Sequence, residues 1–242
     1  MLLQFIQIIL SVIGTIVPVL VGVAYLTLLE RKVLASIQRR YGPDQVGFLG
    51  LLQPIADAAK LIFKETVLPV GANKFLFIFA PIFSFILSVS FWAVIPFGSA
   101  GAVAEFDLSV FYLFAISSLG VYSLILAGWA SSSKYAFFGS LRSAAQMISY
   151  EVAFSFALLP IFICCGTFNL TEIVEFQDEN VWFIVPMFPL FFIFFISSLA
   201  EANRPPFDLP EAESELVAGY NVDYSSSGFA LFFISEYSNI IL

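Results

Sequence analysis

The reading of the chain turns on VWFIVPMFPLFFIFFISSLAEANRPPFDLPEAESELVAGYNVD, Val181–Asp223. Its first part, Val181–Ala200, carries no charge, whereas Glu201–Asp223 carries six carboxylates and a lone cation, Arg204. An uncharged run of that length spans the ~30 Å hydrocarbon layer as a helix, so the acids after it stand at a membrane surface. They are six of 18 acids in a chain that is 60% hydrophobic and 12% charged. That density needs a physical account, and the rest of the sequence supplies its setting.

Soluble domains carry about 25% charged residues. A mean hydropathy of +0.95, with 30 Phe in 242 residues, instead identifies an all-α, polytopic membrane protein. Further uncharged apolar runs lie at Leu2–Leu29, Phe75–Ala104, Leu108–Ser133 and Val152–Thr171, and a sixth begins near Phe229. The expectation is about six transmembrane helices in a single transmembrane domain over 1–242. Leu2–Leu29 has no basic segment before it and no small-residue cleavage site, and reads as a retained span. The sixth run contains Glu236 and reaches only about 21 Å at 1.5 Å per residue, short of a full crossing. Continuation of the structure by further chain is therefore expected.

The ten Lys and Arg residues all fall in alternate loops. Arg31, Lys32, Arg39, Arg40, Lys60, Lys64 and Lys74 lie in the first, Lys134 and Arg142 in the third, and Arg204 in the fifth. The second and fourth hold only acids: Glu105 and Asp107, then Glu172, Glu175, Asp178 and Glu179. By the positive-inside rule the basic loops, and with them Glu201–Asp223, face inward. The acid-rich loop therefore sits on the side selected for cations. Asp208 and Glu211 have capping-box spacing around Pro210, which explains those two. It leaves Glu213, Glu215 and Asp223. Carboxylates ~6 Å apart at an effective dielectric near 20 repel by roughly 3 kcal/mol, which favours proton handling over a merely solvated acidic loop. Glu30, Glu151, Glu201 and Glu236 border or enter spans, where ionisable groups usually mark pathways or paired sites.

Gly50–Lys64 places Leu51, Leu52, Ile55, Ala59 and Ile62 on one helical stripe and Gln53, Asp57, Lys60 and Lys64 on the other. This is an amphipathic helix at the membrane surface, either an interfacial anchor or the lip of an entrance for a lipid-soluble molecule. Ser131–Tyr150 is small and polar, suited to close helix approach, and Arg142 and Gln146 share a helix face there. Cys164 and Cys165 are adjacent on a helix, point about 100° apart, and read as small buried apolar residues. A net charge of −8 and the lack of a phosphate-cradling glycine motif exclude nucleic-acid binding. The membrane-depth acids alone also fit an ion or proton transporter without a redox role.

Four stretches carry a family resemblance: ERKVLASIQRRYGPD (Glu30–Asp44), GLLQPIADAAKLIFKE (Gly50–Glu65), GWASSSKYAFFGSLRSAAQMISYEV (Gly128–Val152) and EANRPPFDLPEAESELVAGYNVDYSS (Glu201–Ser226). They closely resemble subunit 1 of respiratory complex I, NADH:ubiquinone oxidoreductase, of the mitochondrially encoded type. The resemblance implies a mitochondrial inner-membrane subunit whose basic loops face the matrix and build a ubiquinone chamber with two peripheral-arm subunits. It also implies contacts with membrane lipid and neighbouring membrane-arm subunits. FMN, iron–sulfur clusters and the NADH site would belong to partner subunits, with no redox centre or metal in this chain. Implied for the quinone channel are Glu30, Arg31, Arg40, Asp57, Ala58, Lys60, Phe229 and Tyr237. Implied for a proton relay are Glu151, Glu201, Asp208, Glu211, Glu213, Glu215 and Glu236, with Arg204 among them. Family members continue beyond the sixth span, so a second polypeptide completing the fold, or a sequence covering part of a longer chain, is expected. A related alternative is the membrane anchor of an energy-converting hydrogenase, without a quinone chamber.

Overall fold

The computed structural model describes residues 2–97, 101–208 and 219–242. These contain eight α-helices and no strand: α1 (Leu2–Ile37), α2 (Gln53–Phe63), α3 (Lys74–Phe91), α4 (Ser109–Ala130), α5 (Lys134–Cys165), α6 (Leu170–Glu179), α7 (Phe188–Glu201) and α8 (Ser226–Ile241). Short 3-10 turns occupy Phe48–Gly50 and Gly219–Asn221. The chain forms two compact units, one of residues 1–68 with 224–242 and the other of residues 69–223.

In the first unit, α1 continues beyond its apolar run to Ile37 and carries Glu30, Arg31 and Lys32 on its last turns. Ser11, Thr15 and Thr27 hydroxyls donate to carbonyls three residues back, so these hydroxyls are satisfied by the helix's own backbone. The loop after α1 folds back along it, and Lys32 Nζ donates to Leu49 O. Gly50 has φ +74° and its Cα faces Pro43 O, so a Cβ would strike the backbone there. The amphipathic helix predicted over Gly50–Lys64 forms as α2, with Pro54 in its first turn. None of its residues is buried, and Ile55, Ile62 and Phe63 are exposed. α8 packs on both α1 and α2. Ser226 Oγ lies 3.0 Å from Leu61 O and 2.6 Å from Lys64 O, meeting carbonyls that the end of α2 leaves without helical partners.

In the second unit, α3, α4, α5 and α7 pack side by side. The small, polar stretch Ser131–Tyr150, placed in the third loop and expected to approach other helices closely, is mostly helix, because α5 starts at Lys134 and runs unbroken to Cys165. Its first half places small residues at the packed positions. Ala136, Gly139, Ser140, Ser143 and Ala144 are all buried, which is how apolar-phase helices approach closely. A Cβ on Gly128 of α4 would overlap Ser140 Oγ and stand 2.7 Å from Ala136 O. One on Gly139 would stand 2.8 Å from Gly219 Cα. α5 ends at Gly166, whose φ of 72° is the left-handed cap that glycine adopts without strain. The fourth loop contains α6, opened by Asn169, whose Oδ1 accepts from Thr171 N at 3.0 Å.

Among the described residues, four helices are long and apolar enough to cross a membrane, within 6–37, 74–91, 109–130 and 134–165. The other two expected spans are shorter as helices. α7 begins only at Phe188, since Pro186 and Pro189 favour a helix start over a helix interior. At 1.5 Å per residue α7 covers about 21 Å and α8 about 24 Å. α3 stops at Phe91, well before Ala104. Cys164 is exposed and Cys165 half-buried, which corrects the reading of both as buried: the last turn of α5 presents Cys164 to its surroundings.

Gly128→Ala and Gly139→Ala should each lower the unfolding midpoint of the detergent-solubilised protein, at a cost of about 1–3 kcal/mol for overpacking a close helix contact. Gly120→Ala, on α4 with nothing within 4 Å of the added methyl, should leave the midpoint where it is.

Candidate functional site

Two constellations of polar groups stand out, one in each unit. In the first, Tyr237 of α8 is buried and its phenol donates to Glu30 Oε2 at 2.6 Å, joining residues 207 apart in sequence. One residue along α1, Arg31 Nη1 donates to Asp57 Oδ2 at 2.6 Å, and Gln53 Nε2 donates to Asp57 Oδ1 at 2.9 Å. The pair joins α1 to α2 but is 48% and 36% exposed, so it contributes at most about 1 kcal/mol. Its larger role is orientation. Along α8 the rings of Phe229, Phe233 and Tyr237 succeed one another at 5.9 and 4.5 Å, an aromatic ladder ending at the phenol that holds Glu30. Ala58 and Lys60 are exposed on α2, and Arg40 is exposed in the loop, where its Nε donates to Gln38 Oε1 at 2.7 Å. An open depression of about 440 Å³ is lined by Tyr41, Gly42, Pro43, Asp44, Gln45 and Gln53. Gln53 connects that depression to Asp57.

In the second unit the centre is Glu151, half-buried midway along α5. Its Oε1 accepts from Ser117 Oγ at 2.7 Å and Ser118 Oγ at 2.6 Å, both on α4. Glu201 closes α7, which packs along α5, and the charges of Glu151 and Glu201 interact. After Glu201 the chain turns sharply at Asn203, which takes φ 51°, a conformation asparagine tolerates. Gln146 of α5 holds that turn. Its Nε2 lies 2.8 Å from Ala200 O, 2.7 Å from Phe207 O and 3.3 Å from Asn203 Oδ1, so two amide protons serve three acceptors. Phe207 also packs edge-on against Tyr150, with ring centroids 5.3 Å apart. Arg204 and Asp208, both half-buried, therefore leave α7 on a segment fastened to α5.

The structure thus joins Glu30 to Tyr237 and Arg31 to Asp57 in one unit; in the other, Glu151 of α5 is held by α4, while Glu201, Arg204 and Asp208 lie at the end of α7 and on the segment that Gln146 fastens to α5. Glu236 is half-buried on α8 in the first unit. Glu211, Glu213 and Glu215, with the proposed capping box, lie outside the described residues. Arg142 and Gln146, expected to share a face, differ in setting: Arg142 is exposed and Gln146 buried. Ser117, Ser118 and Ser226 were not singled out by sequence. The signal available for the first two is an uninterrupted Ser-Ser pair inside an otherwise apolar span. Nothing local marks Ser226.

Membrane-length apolar helices, an amphipathic helix without a buried residue, and carboxylates at membrane depth together define a multi-pass membrane protein with polar sites inside its helical packing. The family profile described as NADH dehydrogenase matches residues 10–242. The chain is 57% identical over 236 residues to NADH-ubiquinone oxidoreductase chain 1 of Chondrus crispus, covering 98% of this chain and 72% of that protein. It is 59% identical over 232 residues to the protein of the same name from Arabidopsis thaliana, covering 96% and 71%. To a bacterial NADH-quinone oxidoreductase subunit, that of Rhodospirillum rubrum, it is 56% identical over 235 residues, covering 97% and 70%. The chain belongs to this NADH dehydrogenase family.

Gln146→Leu should lower the unfolding midpoint of the solubilised protein, at a cost of about 1–3 kcal/mol, because the buried Ala200 carbonyl and the half-buried Phe207 carbonyl would lose a donor. It should also speed proteolysis after α7. An unchanged midpoint and cleavage rate would show that the segment is held by other contacts.

Proposed function

We propose that this chain is a core membrane subunit of a proton-pumping NADH:ubiquinone oxidoreductase, contributing one wall of the ubiquinone channel and a carboxylate relay that couples quinone reduction to proton movement. Identity of 55–60% to NADH-ubiquinone oxidoreductase chain 1 and to bacterial NADH-quinone oxidoreductase subunits, over nearly the whole chain, is the observation that carries this reading. The complex would sit in the mitochondrial inner membrane with the basic loops toward the matrix. NADH, FMN and iron–sulfur chemistry would be supplied by peripheral-arm subunits, and protons would leave through neighbouring membrane-arm subunits.

The geometry of the first unit suits an amphiphilic substrate. A quinone has a long apolar tail and a head with two carbonyls. The Phe229–Phe233–Tyr237 ladder offers apolar surface that ends in a hydrogen-bonded phenol and carboxylate. The exposed apolar residues of α2, with Ala58 and Lys60 beside them, form the lip by which such a molecule enters from lipid. Arg31, next to Glu30 on α1 and held by Asp57, offers a guanidinium near the polar end. A cation there favours the anionic forms that arise when a quinone takes up electrons before protons.

The relay consists of Glu151, Glu201, Asp208, Glu211, Glu213, Glu215 and Glu236, with Arg204 setting the local potential. Quinone reduction changes charge and proton demand in the chamber. Carboxylates that feel one another pass that change along, because the protonation of each depends on the charge of the next. The interaction between Glu151 and Glu201 is one such link. A membrane anchor that binds no quinone would have the same acids and no use for the aromatic ladder.

Photolabelling the assembled complex with a quinone analogue should mark residues of α1, α2 or the loop between them; absence of specific label at saturation would favour a subunit without a quinone site. Glu211→Gln and Glu215→Gln should slow quinone-linked NADH oxidation roughly tenfold or more, equivalent to raising one barrier by ~1.4 kcal/mol. NADH oxidation by an artificial acceptor at the flavin should persist in the same preparations, which verifies assembly. Normal quinone activity in both variants would return those acids to helix capping.

A further inference from the structure

α4 carries no charged residue, yet it meets Glu151 with two adjacent hydroxyls. Neighbouring residues on a helix point about 100° apart, so both reach one oxygen only if that oxygen lies between their directions. Glu151 Oε1 does, at 2.7 Å from Ser117 Oγ and 2.6 Å from Ser118 Oγ. The same hydroxyls lie 3.0 and 2.9 Å from Phe114 O, one turn earlier on α4. Each hydroxyl has one proton and can also accept, so two protons face four contacts. The surplus of acceptors is the informative feature: the group can take up one more proton without losing a bond.

We infer that Ser117 and Ser118 are positioning residues for Glu151, a pair of hydroxyl rotors that keeps its carboxyl group hydrogen-bonded in one place whether or not it carries a proton. With the carboxylate ionised, both serine O–H bonds point to Oε1, and Phe114 O retains its helical partner. When Oε1 takes a proton, the acid O–H donates to one serine oxygen. That serine turns its own O–H to Phe114 O, and the other serine remains a donor. Only hydrogen atoms move. A carboxyl group at membrane depth that changes charge would otherwise have to be resolvated at each change, at the cost of an unsatisfied buried group.

Few other described groups influence this site. Of the elements packed on α5, α4 and the Gly219–Asn221 turn bring no charge, and the acids of α6 lie toward the Cys165 end, where Ile173 packs with Ile161 and Phe162. α7 brings Glu201, whose charge interacts with that of Glu151. The segment after α7 carries Arg204 and Asp208. The inference assigns the serines to the relay proposed above and rests on that reading for its purpose, but not for its geometry.

Infrared difference spectra of the assembled complex separate the two. In a pH-difference spectrum, the carboxylic C=O band lost on Glu151→Gln should move to higher wavenumber in the Ser117→Ala/Ser118→Ala double variant and return in Ser117→Thr/Ser118→Thr, which restores both hydroxyls. If the double alanine variant does not assemble, each single alanine variant should move the band in the same direction. A band that stays in place without the hydroxyls, moves equally with threonine, or is absent from the unsubstituted complex overturns the proposal. In a quinone-reduction difference spectrum, absence of the Glu151 band from the unsubstituted complex would count against the relay and leave the serine assignment standing.

Discussion

A polar group placed in the hydrocarbon layer must find its partner within the protein, and the arrangement of this chain follows from that constraint. Most serine and threonine hydroxyls on the long helices bond to carbonyls three or four residues back, so they add no demand on neighbours. The groups that cannot be satisfied locally decide how helices meet. Glu151 is answered by α4, Glu30 by α8, and the turn after α7 by Gln146. Each of these contacts fixes one helix against another more specifically than apolar packing in lipid can, because lipid tails compete equally well for an apolar surface.

Close packing supplies the other half. α5 is the axis of the second unit because its small residues let α4 and the Gly219 turn approach until backbone meets backbone. Smallness and polarity coincide in Ser140 and Ser143, and Gly139 lies between them and Ala136 on the packed surface. The same helix then carries Gln146 and Glu151 inward, so the polar site is placed by the packing and is not added to it. In the first unit the order is reversed: no residue of α2 is fully buried, and the helix is held by side chains reaching to backbone and by one exposed ion pair.

Much of this was legible in the sequence, and the parts that were not share a cause. Uncharged runs located the four long apolar helices, and the two-sided stripe from Gly50 to Lys64 located α2. The small residues of Ser131–Tyr150 announced the close helix approach that α5 makes, while hydropathy failed at Val181–Met187, where proline forbids a helix that composition allows. Among site residues, Glu30 and Glu151 were recognisable because a charge beside or inside an apolar run is conspicuous. Their partners were not. Tyr237 lies 207 positions from Glu30, and Ser117 lies 34 from Glu151. Pairing at that separation is a property of the tertiary structure, and a neutral hydroxyl in a span gives no warning of which acid it serves. The resemblance to a known family supplied Tyr237, but it did not supply either serine.

The hydrogen bonds of Ser226 have a consequence for biosynthesis. They close over Leu61 O and Lys64 O across 165 and 162 residues, and the first unit is assembled from two segments, residues 1–68 and 224–242, that are far apart in sequence. At 5–20 residues per second, the ribosome needs roughly 10–30 s to travel from α2 to α8. For that interval the amphipathic helix has neither its cap nor its aromatic neighbour, while the intervening unit can already be complete. Until residue 226 is made, α2 has its own apolar face to hold it at the membrane, which is what the strong division between its two sides provides.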